Sequence, residues 1–363
     1  MATKFMLFLM VYNVGLLFVF PFVVIVLNNI FGIDIVGMER MVLTIILQLV
    51  MFMLPLMIWL KIKGQRFMDY MPRERLDGRN ILYIVLLSFL VMPAMMVVSG
   101  ITTIFVDNNV GEFMAEATGA GTSWLLMMLA IAVTPSIVEE VLFRGYIQST
   151  TPKHLSFKKI ALLNGLLFAI MHMSLHQFMY TFLLGVVLAY MVHYTKSIWA
   201  GILSHFVING SQVTLAHWAM SSYQNMNQSG ASYAMAQESI PQIFYDAFVE
   251  TDPALAQRMY DLLAGMNVEM IALGILFVFA IGATIGFVAL FKSFLFYNRA
   301  RVAEEISAVE PSVEETAVEM PYADNFASTL PPPVVLPQRL LRDKYLYGVI
   351  LIYIIIMTLT TVF

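Results

Sequence analysis

The segment 123–148 reads SWLLMMLAIAVTPSIVEEVLFRGYIQ, an apolar block that carries Glu139, Glu140 and Arg144. A membrane helix needs about 20 mainly apolar residues, so the block is long enough to cross a bilayer. Ionisable side chains are costly inside a membrane, and those found there usually serve a function. The segment therefore predicts a transmembrane helix with a functional site on it.

Comparable apolar blocks recur along the 363-residue chain. Hydrophobic residues make up 60% of it, charged residues 12%, and the mean hydropathy is +0.80, whereas a soluble domain carries about 25% charged residues. We predict an all-α fold, a polytopic membrane helix bundle with eight or nine transmembrane helices. The nine-span interpretation places them at 5–27, 41–60, 81–106, 123–148, 157–174, 176–195, 197–217, 269–297 and 345–363.

The positions of lysine and arginine predict the orientation. Cytoplasmic loops are enriched in these residues, and the connection 61–80 contains Lys61, Lys63, Arg66, Arg73, Arg75 and Arg79. Alternation from this loop places the N-terminus in the cytoplasm and the C-terminus outside. It also places the connection 107–122 outside, and that connection has neither lysine nor arginine.

The composition predicts three regions. Residues 1–297 form the membrane bundle, with a catalytic core at about 123–215 and an outside loop at 218–268 that holds a short helix near 253–264. Residues 298–344, acidic and then proline-rich, form a flexible cytoplasmic tether. Residues 345–363 form a terminal transmembrane helix. The chain has no cysteine, which excludes disulfides and thiol catalysis, and no basic stripe that would bind nucleic acid.

The charged residues of 123–148 divide into a pair and a single carboxylate. Glu140 and Arg144 are four residues apart and share a helix face, so they can form an ion pair. Glu139 is rotated by about 100° from Glu140 and remains able to act chemically. Pro135, four residues before Glu139, leaves a backbone carbonyl without its helical partner.

Two later spans supply further polar groups. His172 ends the fifth span, and His205 and Asn209 share one face of the seventh. These groups could meet Glu139 in a water-filled cavity, where Glu139 would act as a general base on water and the others would stabilise an oxyanion. This chemistry hydrolyses an acyl bond without a serine or cysteine nucleophile.

Two questions about this site stay open from the residues alone. Glu139, His172 and His205 could instead bind Zn²⁺, since a carboxylate and two imidazoles form a known catalytic zinc set, although the His-Glu-x-x-His motif is absent. Straight helices would also separate Glu139 from His172 by roughly 15 Å in depth. Of the other polar residues, His176 and His193 are interpreted as interfacial and Asn164 as a helix-to-helix hydrogen bond.

Glu-Glu-x-x-x-Arg, Phe-x-x-x-His and His-x-x-x-Asn follow one another at 139–144, 168–172 and 205–209. In this order the motifs resemble the CAAX-processing and bacteriocin-immunity family of membrane proteases, which includes the eukaryotic prenyl-protein endopeptidase. The resemblance covers about 123–215.

The resemblance implies a role for each matched residue. Glu139 would be the catalytic carboxylate and His172 would help to activate the water, with Glu140 and Arg144 as a supporting pair. His205 and Asn209 would stabilise the oxyanion, or His205 would be a metal ligand, because the family has been described both as metalloproteases and as glutamate proteases.

The function predicted on these grounds is an intramembrane endopeptidase. Its partners would be the lipid bilayer and a membrane-associated peptide or lipidated protein as substrate, with no nucleic acid. The alternatives are a non-catalytic membrane scaffold, regulator or immunity protein, and a proton-coupled transporter. The transporter is disfavoured because such carriers often contain internal repeats, and none is evident in this sequence.

Overall fold

The computed structural model describes residues 1–35, 37–152, 155–228, 241–243, 245–265, 268–309 and 343–362. These residues form an all-α membrane bundle without a β-strand, as predicted. The main helices are α1 (Ala2–Phe31), α2 (Arg40–Lys63), α3 (Gly78–Thr103), α4 (Asn109–Gly119), α5 (Trp124–Thr150), α6 (Phe157–Met171), α7 (Leu175–Thr195), α8 (Ile198–Gln228), α9 (Pro253–Ala264), α10 (Val268–Val309) and α11 (Lys344–Val362).

Among the described residues, six helices are long and apolar enough to cross a membrane: α1, α2, α3, α5, α7 and the Leu273–Arg301 part of α10. The predicted span 157–174 is the 15-residue helix α6, which rises only about 22 Å against a hydrocarbon core of about 30 Å. Helix α8 is long, but Ser204, His205 and Asn209 lower its hydropathy. The nine-span count is therefore not confirmed.

Several helix ends differ from the predicted edges. Helix α8 continues to Gln228 and α10 to Val309, past the edges predicted at 217 and 297. The helix predicted near 253–264 is α9, and the Asp252 carboxylate caps it by accepting a hydrogen bond from the Leu255 N–H at 2.9 Å. Most of the predicted tether, 310–342, lies outside the described residues.

Helices α6 and α7 form a hairpin in which two glycines allow close approach. A Cβ on Gly165 would lie 2.8 Å from the Phe182 carbonyl oxygen, and a Cβ on Gly185 would lie 2.7 Å from the Gly165 Cα. Small residues commonly line membrane helix interfaces because dispersion contacts there replace the hydrophobic effect. The hairpin brings the carbonyl of Gly185 close to helix α5.

Helices α3 and α10 are joined by polar contacts near one end. The Asn80 and Asn298 amides exchange hydrogen bonds of 3.1 and 2.8 Å. Asp77 caps α3 by accepting from the Asn80 N–H at 2.8 Å, and its carboxylate also pairs with Arg301 at 3.0 Å. Burial raises the pKa of Asp77, but the hydrogen bonds from Asn80 and the charge of Arg301 outweigh it and leave that pKa below its ordinary value.

Two contacts between segments that are distant in the chain show which helix ends lie at the same end of the bundle. The Thr3 hydroxyl donates to Asp343 at 2.7 Å, so α1 and α11 begin at the same end. Beyond the far end of α1, Arg40 pairs with Glu116 of α4. Both groupings agree with the predicted sides of the membrane, while the orientation of the termini towards the cytoplasm remains a prediction.

The α6–α7 contact predicts a contrast between two glycine substitutions. Gly165→Ala should destabilise the protein by about 1–3 kcal/mol, because its methyl group meets backbone atoms that cannot turn away. Gly282→Ala on α10 is the matched control, since a Cβ there has no neighbour within 4 Å. Thermal unfolding in detergent measures both, and equal midpoints would contradict the proposed closeness of α6 and α7.

Candidate active site

Helix α5 carries the Glu-Glu pair between two π-helical segments, Met128–Val133 and Val141–Ile147. The wider turn of a π-helix shifts the side chains that follow it, and such segments are frequent at functional sites. The seven residues between them, Thr134–Glu140, are α-helical and begin with Pro135 near their first position.

Pro135 lacks an N–H, and the two carbonyls that this N–H could serve are both bound by side chains of other helices. In the i→i+5 pattern the missing N–H would serve Ala130, and in the i→i+4 pattern Ile131. Gln48 Nε2 donates to the Ala130 carbonyl at 2.9 Å, and Asn209 Nδ2 donates to that of Ile131 at 3.1 Å. Helices α2 and α8 are therefore hydrogen-bonded to α5 at the turn that precedes its carboxylates.

Glu140, Arg144 and His205 form one buried cluster. The first two have no exposed surface and His205 is 2% exposed. Glu140 Oε1 accepts from Arg144 Nη1 at 2.7 Å and from His205 Nδ1 at 3.0 Å. The ion pair predicted from the sequence spacing is thus present, and His205 joins it from α8. Because a carboxylate can only accept, Nδ1 carries the proton on this side of the His205 ring.

The remaining surface of the cluster is closed by Phe168, Gly185 and Gly201. Arg144 Nη2 donates to the Gly185 carbonyl at 3.0 Å, and its guanidinium lies 4.5 Å from the centre of the Phe168 ring. A Cβ on Gly201 would come within 2.4 Å of Glu140 Oε2. A hydrogen bond, a cation–π contact and close packing therefore offset the cost of burying the guanidinium.

Glu139 and His172 form a second, partly exposed pair. Glu139 Oε2 lies 4.0 Å from His172 Nε2, and the side chains are 12% and 20% exposed. His172 Nδ1 lies 2.8 Å from the Phe168 carbonyl, to which it must donate. In the neutral ring, Nε2 is then an acceptor that faces the carboxylate. The structure brings these two predicted residues together and keeps Glu139 apart from the Arg144 ion pair.

The short helix α6 resolves the depth difference expected between Glu139 and His172. Helix α6 ends at Met171, so His172 lies at its C-terminal cap, and the next residue, Met173, has a positive φ of 45°. The chain then turns into α7. Helix α6 ends three residues before the predicted edge at 174, and His172 lies beside Glu139 instead of 15 Å away in depth.

The alternative zinc set is not assembled. Among the described residues, no group of three or more His, Asp or Glu side chains is placed to hold a metal ion. His205 uses its Nδ1 on Glu140 and does not complete a set with Glu139 and His172. Those two ligands are fewer than the three protein ligands of a catalytic zinc site.

Other polar residues have partners elsewhere. His176 Nε2 lies 3.1 Å from Thr103 Oγ1, so this ring contacts α3, and His193 stacks on Phe157 with ring centres 3.6 Å apart. Asn164 Nδ2 donates to the Phe143 carbonyl at 2.9 Å, which is the helix-to-helix hydrogen bond predicted for it.

An open cavity of about 530 Å³ lies along α8, between Phe89, Met128 and Trp218. Its α8 residues, 206, 207, 210, 211, 214, 215 and 218, recur at helical spacing and include neither His205 nor Asn209. None of the predicted site residues lines this cavity. The predicted water-filled cavity around them is therefore not confirmed.

Three contributors to the site are not predicted from the sequence. Phe168 is part of the Phe-x-x-x-His motif, but only the structure shows its ring 4.8 Å from His172 and 5.9 Å from His205. Gly185 and Gly201 lie on other helices, and only the close packing of those helices gives them a role. A glycine in a long apolar segment is a weak signal, because many merely ease helix contact.

Comparison with known proteins agrees with the motifs. A family model described as type II CAAX prenyl endopeptidase, Rce1-like, matches residues 121–211. No curated protein and no solved structure matches the chain. The matched stretch contains every predicted site residue, and the resemblance inferred from the motifs is confirmed over it. Residues 121–211 are thus similar to the Rce1-like type II CAAX prenyl endopeptidases, and they lie within a helical membrane bundle.

Proposed function

We propose that this chain is an intramembrane endopeptidase that cleaves a membrane-associated or lipidated peptide with a water activated by Glu139 and His172. The observation that carries the proposal is the 4.0 Å approach of Glu139 Oε2 to His172 Nε2, with both side chains partly exposed. The Rce1-like domain supports the reaction class. The division between this pair and the buried Glu140 cluster supports the assignment of roles.

The geometry of the pair suits a bridging water. Two acceptors 4.0 Å apart cannot bond each other, but one water can donate a hydrogen to each. The Glu139 carboxylate would take a proton as the water oxygen attacks the scissile carbonyl carbon and the carbonyl electron pair moves onto its oxygen. When the C–N bond breaks, the same proton would pass to the leaving amine.

The α8 residues would stabilise the oxyanion. One Asn209 N–H binds the Ile131 carbonyl, and the second is suited to an oxyanion. Glu140 holds the His205 Nδ1 proton, so Nε2 can donate only when the ring is a cation. Because Glu140 and Arg144 neutralise each other, a cationic His205 would give the cluster a net positive charge beside the developing negative one.

The proposed substrate class follows from the domain and the membrane setting. The matched family model is named for prenylated CAAX substrates, so peptides that end in a prenylated cysteine motif are the first to test. Since the described residues do not assemble a zinc set, we propose glutamate-type catalysis.

Replacement of either member of the pair should abolish cleavage. Glu139→Gln and His172→Ala are expected to lower kcat by about 10²–10⁴-fold, the usual contribution of a general base. Glu112→Gln, the same chemical change at an exposed residue of α4, is the control. Cleavage of prenylated and unprenylated peptides by protein in nanodiscs is measured by mass spectrometry. A parent protein that cleaves neither would favour the scaffold or regulator alternative.

Two substitutions of His205 distinguish the roles of its two ring nitrogens. His205→Gln places an amide near the former Nε2, and His205→Asn places one near Nδ1. If Nε2 donates to the oxyanion, the asparagine variant should lose about 10²–10³ in kcat and the glutamine variant less. The opposite order would mean that the link to Glu140 is the more important function of the ring.

Glutamate-type catalysis predicts indifference to metals. Dialysis against a strong chelator should leave turnover unchanged, and elemental analysis should find no stoichiometric zinc in the active preparation. Zinc bound by the parent and lost in Glu139→Gln would contradict this prediction and restore the metal interpretation.

A further inference from the structure

We propose that Gln48, on helix α2 outside the Rce1-like domain, is a positioning residue that fixes the rotation of the catalytic helix α5. Its Nε2 donates to the Ala130 carbonyl at 2.9 Å, across two helices of the bundle. The effect on turnover rests on the proposed function, but the effect on geometry can be measured without any substrate.

Pro135 creates the need for this hydrogen bond. Ala130 is fully buried within the π-helical segment Met128–Val133. In that pattern its carbonyl would be paired with the N–H of residue 135, which proline lacks. A carbonyl without a partner costs several kcal/mol in hydrocarbon, and Gln48 supplies the donor. Asn209 on α8 donates to the neighbouring Ile131 carbonyl at 3.1 Å.

The position of Gln48 indicates that its donor group is what matters. It lies inside the apolar run 41–54, MVLTIILQLVMFML, where an amide is unfavourable unless it is hydrogen-bonded. Within the described residues its Oε1 is buried and has no hydrogen-bond partner. That buried oxygen lowers the net stability that the side chain provides, while its Nε2 binds α5 at the Ala130 carbonyl.

The rotation of α5 determines which carboxylate faces His172 and which one joins the Arg144 cluster. A shift of one residue in helical register turns every side chain by about 100°, which is the angle between Glu139 and Glu140. Such a shift would move Glu139 away from His172 and turn Glu140 out of the Arg144 cluster. The hydrogen bonds to the Ala130 and Ile131 carbonyls lie directly before Thr134–Glu140, where they can prevent this rotation.

The absence of cysteine from the chain allows a direct test. In a Glu139→Cys, His172→Cys protein the two thiols are the only ones present, and a short bifunctional thiol reagent reports whether they stay close. Adding Gln48→Met should lower the bridging yield. In the otherwise native chain, Gln48→Met should lower kcat by about three- to fifteenfold, the range available to one interhelical hydrogen bond. KM should stay near its parent value, whereas the thermal midpoint should fall because the Ala130 carbonyl loses its donor.

Two further variants control the test. Thr44→Val, one turn earlier on α2, removes a hydroxyl that donates to its own helix at the Arg40 carbonyl, 2.9 Å away. It should behave like the parent. Pro135→Ala restores one N–H, which can pair with the Ala130 carbonyl in the i→i+5 pattern, so Gln48→Met should cause a smaller additional loss in that background.

Each outcome decides the proposal. Parent-like bridging in Gln48→Met, an equal loss in Thr44→Val, or independent, multiplying losses from Gln48→Met and Pro135→Ala would overturn it. Failure of the cysteine pair to bridge with Gln48 intact would overturn the underlying geometry as well. If bridging depends on Gln48 but the parent cleaves no peptide, the positioning role stands and the proposed function fails.

Discussion

The structure depends on a guanidinium buried within the membrane bundle. Arg144 has no exposed surface, and an unpaired charge in such a place would be prohibitively costly. Its partners come from three helices: Glu140 on α5, the Phe168 ring on α6 and the Gly185 carbonyl on α7. These helices must close around Arg144 for the bundle to form. The Gly165–Gly185 contact, which lets α6 and α7 approach, therefore supports the burial of Arg144.

The buried pair has a chemical consequence for its neighbours. Glu140 Oε1 accepts hydrogen bonds from both Arg144 Nη1 and His205 Nδ1. Glu139, about 100° away on the same helix, is left to face His172 at a partly exposed position. Adjacent carboxylates thus have different surroundings, one paired with Arg144 and fully buried, and one partly exposed beside His172. This asymmetry supports the proposed role of Glu139 as the general base.

Departures from regular transmembrane helices bring the reacting groups together. Helix α6 ends early and leaves His172 at a cap, while α5 contains two π-helical segments and a proline. Each departure leaves backbone groups without helical partners, and a bilayer offers no water to satisfy them. Side chains from α2 and α8 bind those at Pro135. Helix α2, outside the matched residues 121–211, therefore contributes to the geometry of the proposed site.

Much of this follows from the sequence. Apolar blocks determined the membrane bundle, because composition alone decides whether a segment prefers lipid, and the i,i+4 spacing of Glu140 and Arg144 determined their ion pair. The sequence also separated Glu139 from that pair by helical geometry. Only the tertiary structure decided that His172 lies at the depth of Glu139, that His205 bonds Glu140 and that Gln48 reaches Ala130. Those contacts join residues far apart in the chain, and they depend on where helices stop and how closely they pack, which local periodicity does not encode.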